Sequence, residues 1–188
     1  MQGEGGAEGL PALPELMEGG RVRLRNVPLG EVETLQDLCE ASDYIAAWVG
    51  WTTPPDYAAR TIQEGNLPPG GRMEAFRVKF IELATGGPPI GSLEFYQGFP
   101  APDVLLVGWL FIHPLHQRKG LAEECVELLS HEAEAAGFSR MRLGVDLRNW
   151  PALRFWQRAG FDHVAGFLGE REFGPGASAS IILERRIL

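Results

Sequence analysis

The residues best placed to do chemistry form a short loop, Gln117-Arg118-Lys119-Gly120-Leu121-Ala122, which carries one glycine, two cations and no acid. It joins an apolar run, Val104 to Ile112, that reads as a buried strand to a periodic run, Leu121 to Gly137, that reads as an amphipathic helix. A helix start leaves backbone N–H groups without intrahelical partners, and the helix dipole favours an anion there. Successive loop amides pointing the same way extend that site, and Gly120 allows close backbone approach. The pattern suits a phosphate-bearing ligand flanked by Arg118 and Lys119; taken alone, it is equally compatible with a solvated strand-to-helix connection. A nucleotide P-loop fits poorly because the Gly-Lys-Ser/Thr ending is missing. The histidines make no metal site, since His113 and His116 lack two further spaced ligands and His131 and His163 are isolated. No Ser-His-Asp arrangement is evident.

One domain must position this loop. The chain has 188 residues, 45% of them hydrophobic, enough for one substantial core. Its formal net charge is -8, but residues 1–20 hold four glutamates and no cation, so the remainder carries -4. Such a mildly acidic body argues against nucleic acid as a partner, because phosphate backbones require a basic face. Neither a signal-peptide pattern nor a membrane-length apolar stretch occurs, so a soluble cytoplasmic protein is expected, with no membrane partner. Cys39 and Cys125 fall on apolar helical stripes and imply no disulfide.

Residues 1–20, rich in Gly, Glu and Pro, read as a flexible leader to a single domain over 21–188. Strands are expected at Arg21 to Val27, Met73 to Leu83, Ile90 to Tyr96, Val104 to Ile112 and Met141 to Val145, with a closing pair at Asp162 to Leu168 and Ser178 to Ile187. Helices are expected at Leu29 to Ala41, Asp56 to Asn66, Leu121 to Gly137 and Pro151 to Gly160, the second capped by Asp56 with Ala59 and Ile62 inward. The strands flanking the loop are joined through a helix and should therefore be parallel. The fold class is mixed α/β (α+β): a central sheet of about seven strands, mostly antiparallel, flanked by about four helices.

The loop resembles the Q/R-x-x-G-x-G/A motif of the GCN5-related N-acetyltransferase (GNAT) superfamily. Downstream, Asn149-x-x-Ala152-x-x-x-Trp156-x-x-x-Gly160-Phe161 is similar to that family's N-x-x-A-x-x-x-Y-x-x-x-G-F pattern, except at Trp156. Arg21-Val22-Arg23-Leu24-Arg25, and Trp51 ahead of Pro54-Pro55, also resemble the ribosomal-protein N-acetyltransferase subgroup. The resemblance implies acetyl-CoA as acetyl donor, no metal, and a primary amine, small molecule or peptide, as acceptor, attacked directly in a ternary complex. It implies a splayed parallel strand pair in which Leu110, Phe111 and Ile112 meet the pantetheine, with Gln117 to Ala122 on the pyrophosphate. Asn149 and Trp156 would complete the cofactor contacts, and a homodimer is compatible with it.

Two departures concern the proton. Trp156 stands where many members carry a tyrosine acid, and indole is no comparable donor; it reads equally as a packing residue. Val104 to Ile112 contains no carboxylate, which leaves Glu94 as the base candidate, on one strand face with Tyr96 as a substitute acid, and Asp146 as a second base candidate. Trp48 and Trp51 would wall the acceptor, or simply cover the core. A non-catalytic acyl-CoA binding or sensing module of the same fold is the alternative function, motivated by these departures.

Overall fold

In the computed structural model, which describes residues 12–172, 174 and 177–187, the sequence periodicities resolve into one sheet with helices packed on both faces. The strands are β1 (Leu16–Glu18), β2 (Val22–Asn26), β3 (Phe76–Leu83), β4 (Gly91–Gln97), β5 (Val104–Ile112), β6 (Arg140–Asp146), β7 (His163–Gly169) and β8 (Ala179–Arg186). They run in the order β1-β2-β3-β4-β5-β6-β8-β7. Neighbours are antiparallel except β5 and β6, whose parallel pairing requires the crossover that α4 supplies. The helices are α1 (Val32–Glu40), the single turn α2 (Ala46–Val49), α3 (Tyr57–Glu64), α4 (Leu121–Ala135) and α5 (Trp150–Arg158).

Alternation along β4 divides the interior. Leu93 and Phe95 join a core with α4 and α5, which includes Leu105, Leu129, Met141, Trp156 and Phe161. Tyr96 joins a second core with α1 and α3, built from Leu35, Leu38, Cys39, Ala58, Phe76 and Phe80. Full burial of side chains of this size contributes roughly 1.5–3 kcal/mol each. Both cysteines are buried free thiols, and burial pushes each up to about 12. No described helix is long and apolar enough to cross a membrane.

The eighth strand, β1, lies inside the stretch grouped with the leader. Met17 is 1% exposed, and the three-residue strand alternates exposed, buried, exposed, too short to register as a period. A buried lysine fixes this strap: Lys79 Nζ donates to the carbonyls of Pro14 and Glu15 at 2.6 and 2.7 Å, and burial lowers its pKa to about 8. Residues 1–11 of the leader lie outside the described residues. Helix α3 also differs from expectation. Ala58 and Thr61 are its buried residues, Ile62 is only partly buried, and Asp56 caps no N–H but pairs with Arg60 at 3.0 Å. The α2 turn, ended by Gly50 at φ +73°, was hidden among the irregularly spaced aromatics of that segment.

Candidate active site

The loop after β5 is shaped by its own side chains and by one arginine from far away. His113 Nδ1 accepts from the Leu115 N–H at 3.3 Å, which starts the turn at Pro114–His116. Gln117 Nε2 then donates to Ile112 O at 2.7 Å and to the Tyr44 hydroxyl at 2.9 Å, tying the loop to the segment before α2. Arg118 (φ +62°) and Gly120 (φ +74°) are both left-handed, an uncommon state for a residue with a side chain. Arg21 donates through its two terminal nitrogens to the carbonyls of Lys119 and Gly120 at 2.9 and 3.1 Å, and its Nε pairs with Glu124 at 2.6 Å. In a planar trans peptide the N–H points away from the C=O. The N–H groups of Gly120 and Leu121 therefore point away from Arg21, into the open N-terminal end of α4. Arg118 and Lys119 are exposed, and Lys119 Nζ also donates to Leu115 O at 2.9 Å.

Upstream, the parallel pair parts. Pairing between β5 and β6 covers Val104–Val107 against Arg140–Leu143 and goes no further, although both strands continue. The cause is a bulge in β5. Glu94 pairs with Trp109 and Phe95 with Val107, which leaves Gly108 unmatched, and a bulge bends its strand and increases twist. Gly108 is exposed at the opening, whereas the side chains of Phe111 and Ile112 are buried and that of Leu110 is half-buried. These three residues offer backbone to the opening between the strands.

Other sequence candidates are placed as follows. Asn149 Oδ1 accepts from the Ala152 N–H at 3.2 Å, so it caps α5. Trp156 is packed in the core edge-to-face against Phe155 and Phe161, with ring centroids 4.8 and 5.0 Å apart; its place is beneath the surface, among packing residues. Asp146 pairs with Arg148 at 3.0 Å, and the guanidinium holds its carboxyl below the usual range. Tyr96 shares the α1/α3 face with Glu94, but its hydroxyl accepts from the Arg72 N–H at 3.0 Å and it packs into the second core. Trp48 meets Tyr44 edge-to-face and is exposed.

Glu94 is different. It is 2% exposed, and both carboxylate oxygens are engaged: Tyr57 Oη donates to Oε1 at 3.2 Å and Asn66 Nδ2 to Oε2 at 2.7 Å. Burial pushes its carboxyl above the usual range, opposed by the two hydrogen bonds. Tyr57 and Asn66 line a cleft of about 220 Å³ together with Trp51, Arg60, Thr61 and Glu64. Trp51 meets Tyr57 at 5.5 Å and Trp109 at 6.3 Å, so the aromatic wall of the cleft continues to the bulge. A larger cleft of about 440 Å³, between α4 and β8, holds the Arg185–Glu127 ion pair and none of these groups. Arg21, Tyr57 and Asn66 escaped the sequence reading, because each acts on a residue more than 25 positions away and no local motif marks it. Among the described residues no group of acids, histidines or cysteines could hold a metal ion.

The model of the acetyltransferase (GNAT) family matches residues 40–161. Among solved structures, a probable acetyltransferase of that family from Chromobacterium violaceum is similar over 100% of this chain and 94% of its own, with a TM-score of 0.76 and 18% identity. A spermidine N-acetyltransferase from Vibrio cholerae, in complex with CoA and spermine, is similar over 88% of this chain and 95% of its own (TM-score 0.67, 18% identity). The ribosomal-protein-S18-alanine N-acetyltransferase from Escherichia coli is similar over 88% and 94% (TM-score 0.65, 15% identity). At these identities the likeness shows the fold. No curated protein matches the sequence.

Proposed function

This chain belongs to the acetyltransferase (GNAT) family, and we propose that it moves an acetyl group from acetyl-CoA to a primary amine by direct attack in a ternary complex. One observation carries the reading: the opening between β5 and β6 leads, through a short turn, to outward-facing amides at the start of α4. A coenzyme A thioester is an extended chain with two amides, ending in a pyrophosphate. Its pantetheine would lie in the opening against the backbone of Leu110, Phe111 and Ile112. Its pyrophosphate would take the amides of Gln117 to Ala122, with Arg118 and Lys119 adding charge. Asn149, with Oδ1 spent on the cap, has its amide nitrogen left for the cofactor.

The amine would approach from the α1/α3 side, where Trp51 stands and where Glu94 lies under the cleft. Of the two relatives above, one is an acetyltransferase of spermidine and the other of an alanine of ribosomal protein S18, and both acceptors offer an amine. That class is what is carried over. An attacking amine must shed a proton, and a buried carboxylate held above its ordinary range suits the task. Titration calorimetry with acetyl-CoA tests the reading: a one-to-one complex with Kd in the micromolar range, about −8 kcal/mol, is expected. Absence of both heat and thermal stabilisation would remove it.

A further inference from the structure

Resting on the acetyl-transfer reading, we propose that Tyr57 is the group that meets the acceptor amine and takes its proton, handing its own hydroxyl proton to Glu94. The geometry separates the two roles. Glu94 is sealed at 2% exposure, with Tyr57 and Asn66 standing between its oxygens and the cleft that both residues line. An amine in that cleft therefore reaches the tyrosine oxygen before either oxygen of Glu94.

Hydrogen-bond bookkeeping leaves Tyr57 one free role. Its O–H donates to Glu94 Oε1, and one lone pair accepts from Asn66 Nδ2 at 2.9 Å. A hydroxyl has two lone pairs, so the second is available to an incoming N–H. Asn66 bridges both partners and fixes the direction of transfer. Trp51 holds the Tyr57 ring on one side and touches Trp109 on the other, so the relay borders the bulge where the opening for the thioester begins. The other titratable groups facing the pair are Cys39 from α1 and, on α3 itself, Arg60 and Glu64, which line the same cleft. Burial and the charge on Glu94 raise the Tyr57 hydroxyl above its ordinary value, so it exchanges protons without standing as phenolate.

The step balances. As the bond from amine nitrogen to acetyl carbon forms, the N–H breaks and its proton moves to Tyr57 Oη; the tyrosine O–H breaks and that proton moves to Glu94 Oε1. The acetyl C–S bond breaks with its electron pair leaving on sulfur. Once product leaves, Glu94 gives its proton back to Tyr57 Oη as the tyrosine releases one to cleft water, and the departed thiolate takes a proton from solvent, which restores both groups.

The test uses the full chain, with spermidine, kanamycin, an alanyl-initiated peptide and L-leucine as acceptors in a thiol-release assay. Tyr57→Phe keeps the ring in its packing. It is expected to lower kcat about 100-fold while leaving KM for acetyl-CoA and its calorimetric Kd unchanged. Its log kcat should climb by about one per pH unit where the wild type is flat, because hydroxide then takes the proton. Glu94→Gln should behave alike, and the double variant should be no worse than either single one, as for groups acting in series. Wild-type kcat and pH profile in Tyr57→Phe, or losses that multiply in the double variant, would overturn the relay and leave acetyl transfer standing. Acetyl-CoA binding without turnover of any of the four amines by the wild type would overturn both.

Discussion

Glu94 on β4 stands directly opposite Trp109 on β5, at the register break that leaves Gly108 unmatched. A single bulge thus sets the opening between β5 and β6 beside a buried carboxylate. That carboxylate has a stability cost with a definite sign. Burial raises its folded-state pKa, so the native state holds the proton more tightly than the unfolded state does. Stability is then greatest below the ordinary glutamate range and falls as pH rises through the folded pKa. Glu94→Gln, which keeps the shape, is expected to melt several degrees above wild type near pH 7.5, at about 2–4 °C per kcal/mol for a chain of this size. The gap should close toward pH 4.5, as followed by circular dichroism melts. A lower melting point for the variant at pH 7.5 would contradict a buried ionised carboxylate.

The cation ahead of α4 is open to a direct test. Arg118 is exposed, and Lys119 is partly spent on Leu115 O. Arg118→Ala should weaken acetyl-CoA binding about 10-fold, the size of one charge-assisted hydrogen bond, and Lys119→Ala somewhat less. Titrations at rising salt should show the wild-type affinity falling faster than that of either variant.

Most of this loop was legible in the sequence, because strand, glycine, cations and periodic helix are local signals. The eight-strand count was not, since β1 depends on Lys79 reaching 65 positions back to Pro14 O. Glu94 stands out for want of a carboxylate on β5, and alternation puts Tyr96 on its face; the hydroxyl that binds it comes from Tyr57 on α3, 37 positions away, which no local pattern marks. Trp156 illustrates the reverse case. Its motif position suggested the cofactor, and the amphipathic roll of α5 turns it into the core.

Gly108 offers a way to close the opening without touching the loop. A Cβ there meets nothing nearer than Glu94 O at 3.8 Å, so a side chain is tolerated by the fold. Gly108→Leu is expected to place its branch over the bulge beside Glu94, at the edge of the opening. Acetyl-CoA affinity should drop by more than about 10-fold, the equivalent of about 1.4 kcal/mol, with a near-native melting temperature. Unchanged affinity would place the pantetheine elsewhere.

Trp156 separates packing from chemistry. Truncation of a buried tryptophan costs about 3–5 kcal/mol, so Trp156→Ala should be severely destabilised. Trp156→Phe should fold with a modest loss and keep kcat within about threefold across the pH range, since no proton passes through the indole. A Trp156→Phe enzyme of native stability with collapsed kcat would restore a catalytic role.

The central claim is acetyl transfer to an amine, and the most direct measurement is amine-dependent release of free thiol from acetyl-CoA, with the acetylated amine identified by mass spectrometry. At least one of spermidine, kanamycin, an alanyl peptide and L-leucine is expected to gain one acetyl group for each thiol released. Tight binding of acetyl-CoA with no thiol released above the amine-free rate would contradict it, and would leave a non-catalytic acyl-CoA binder on this fold.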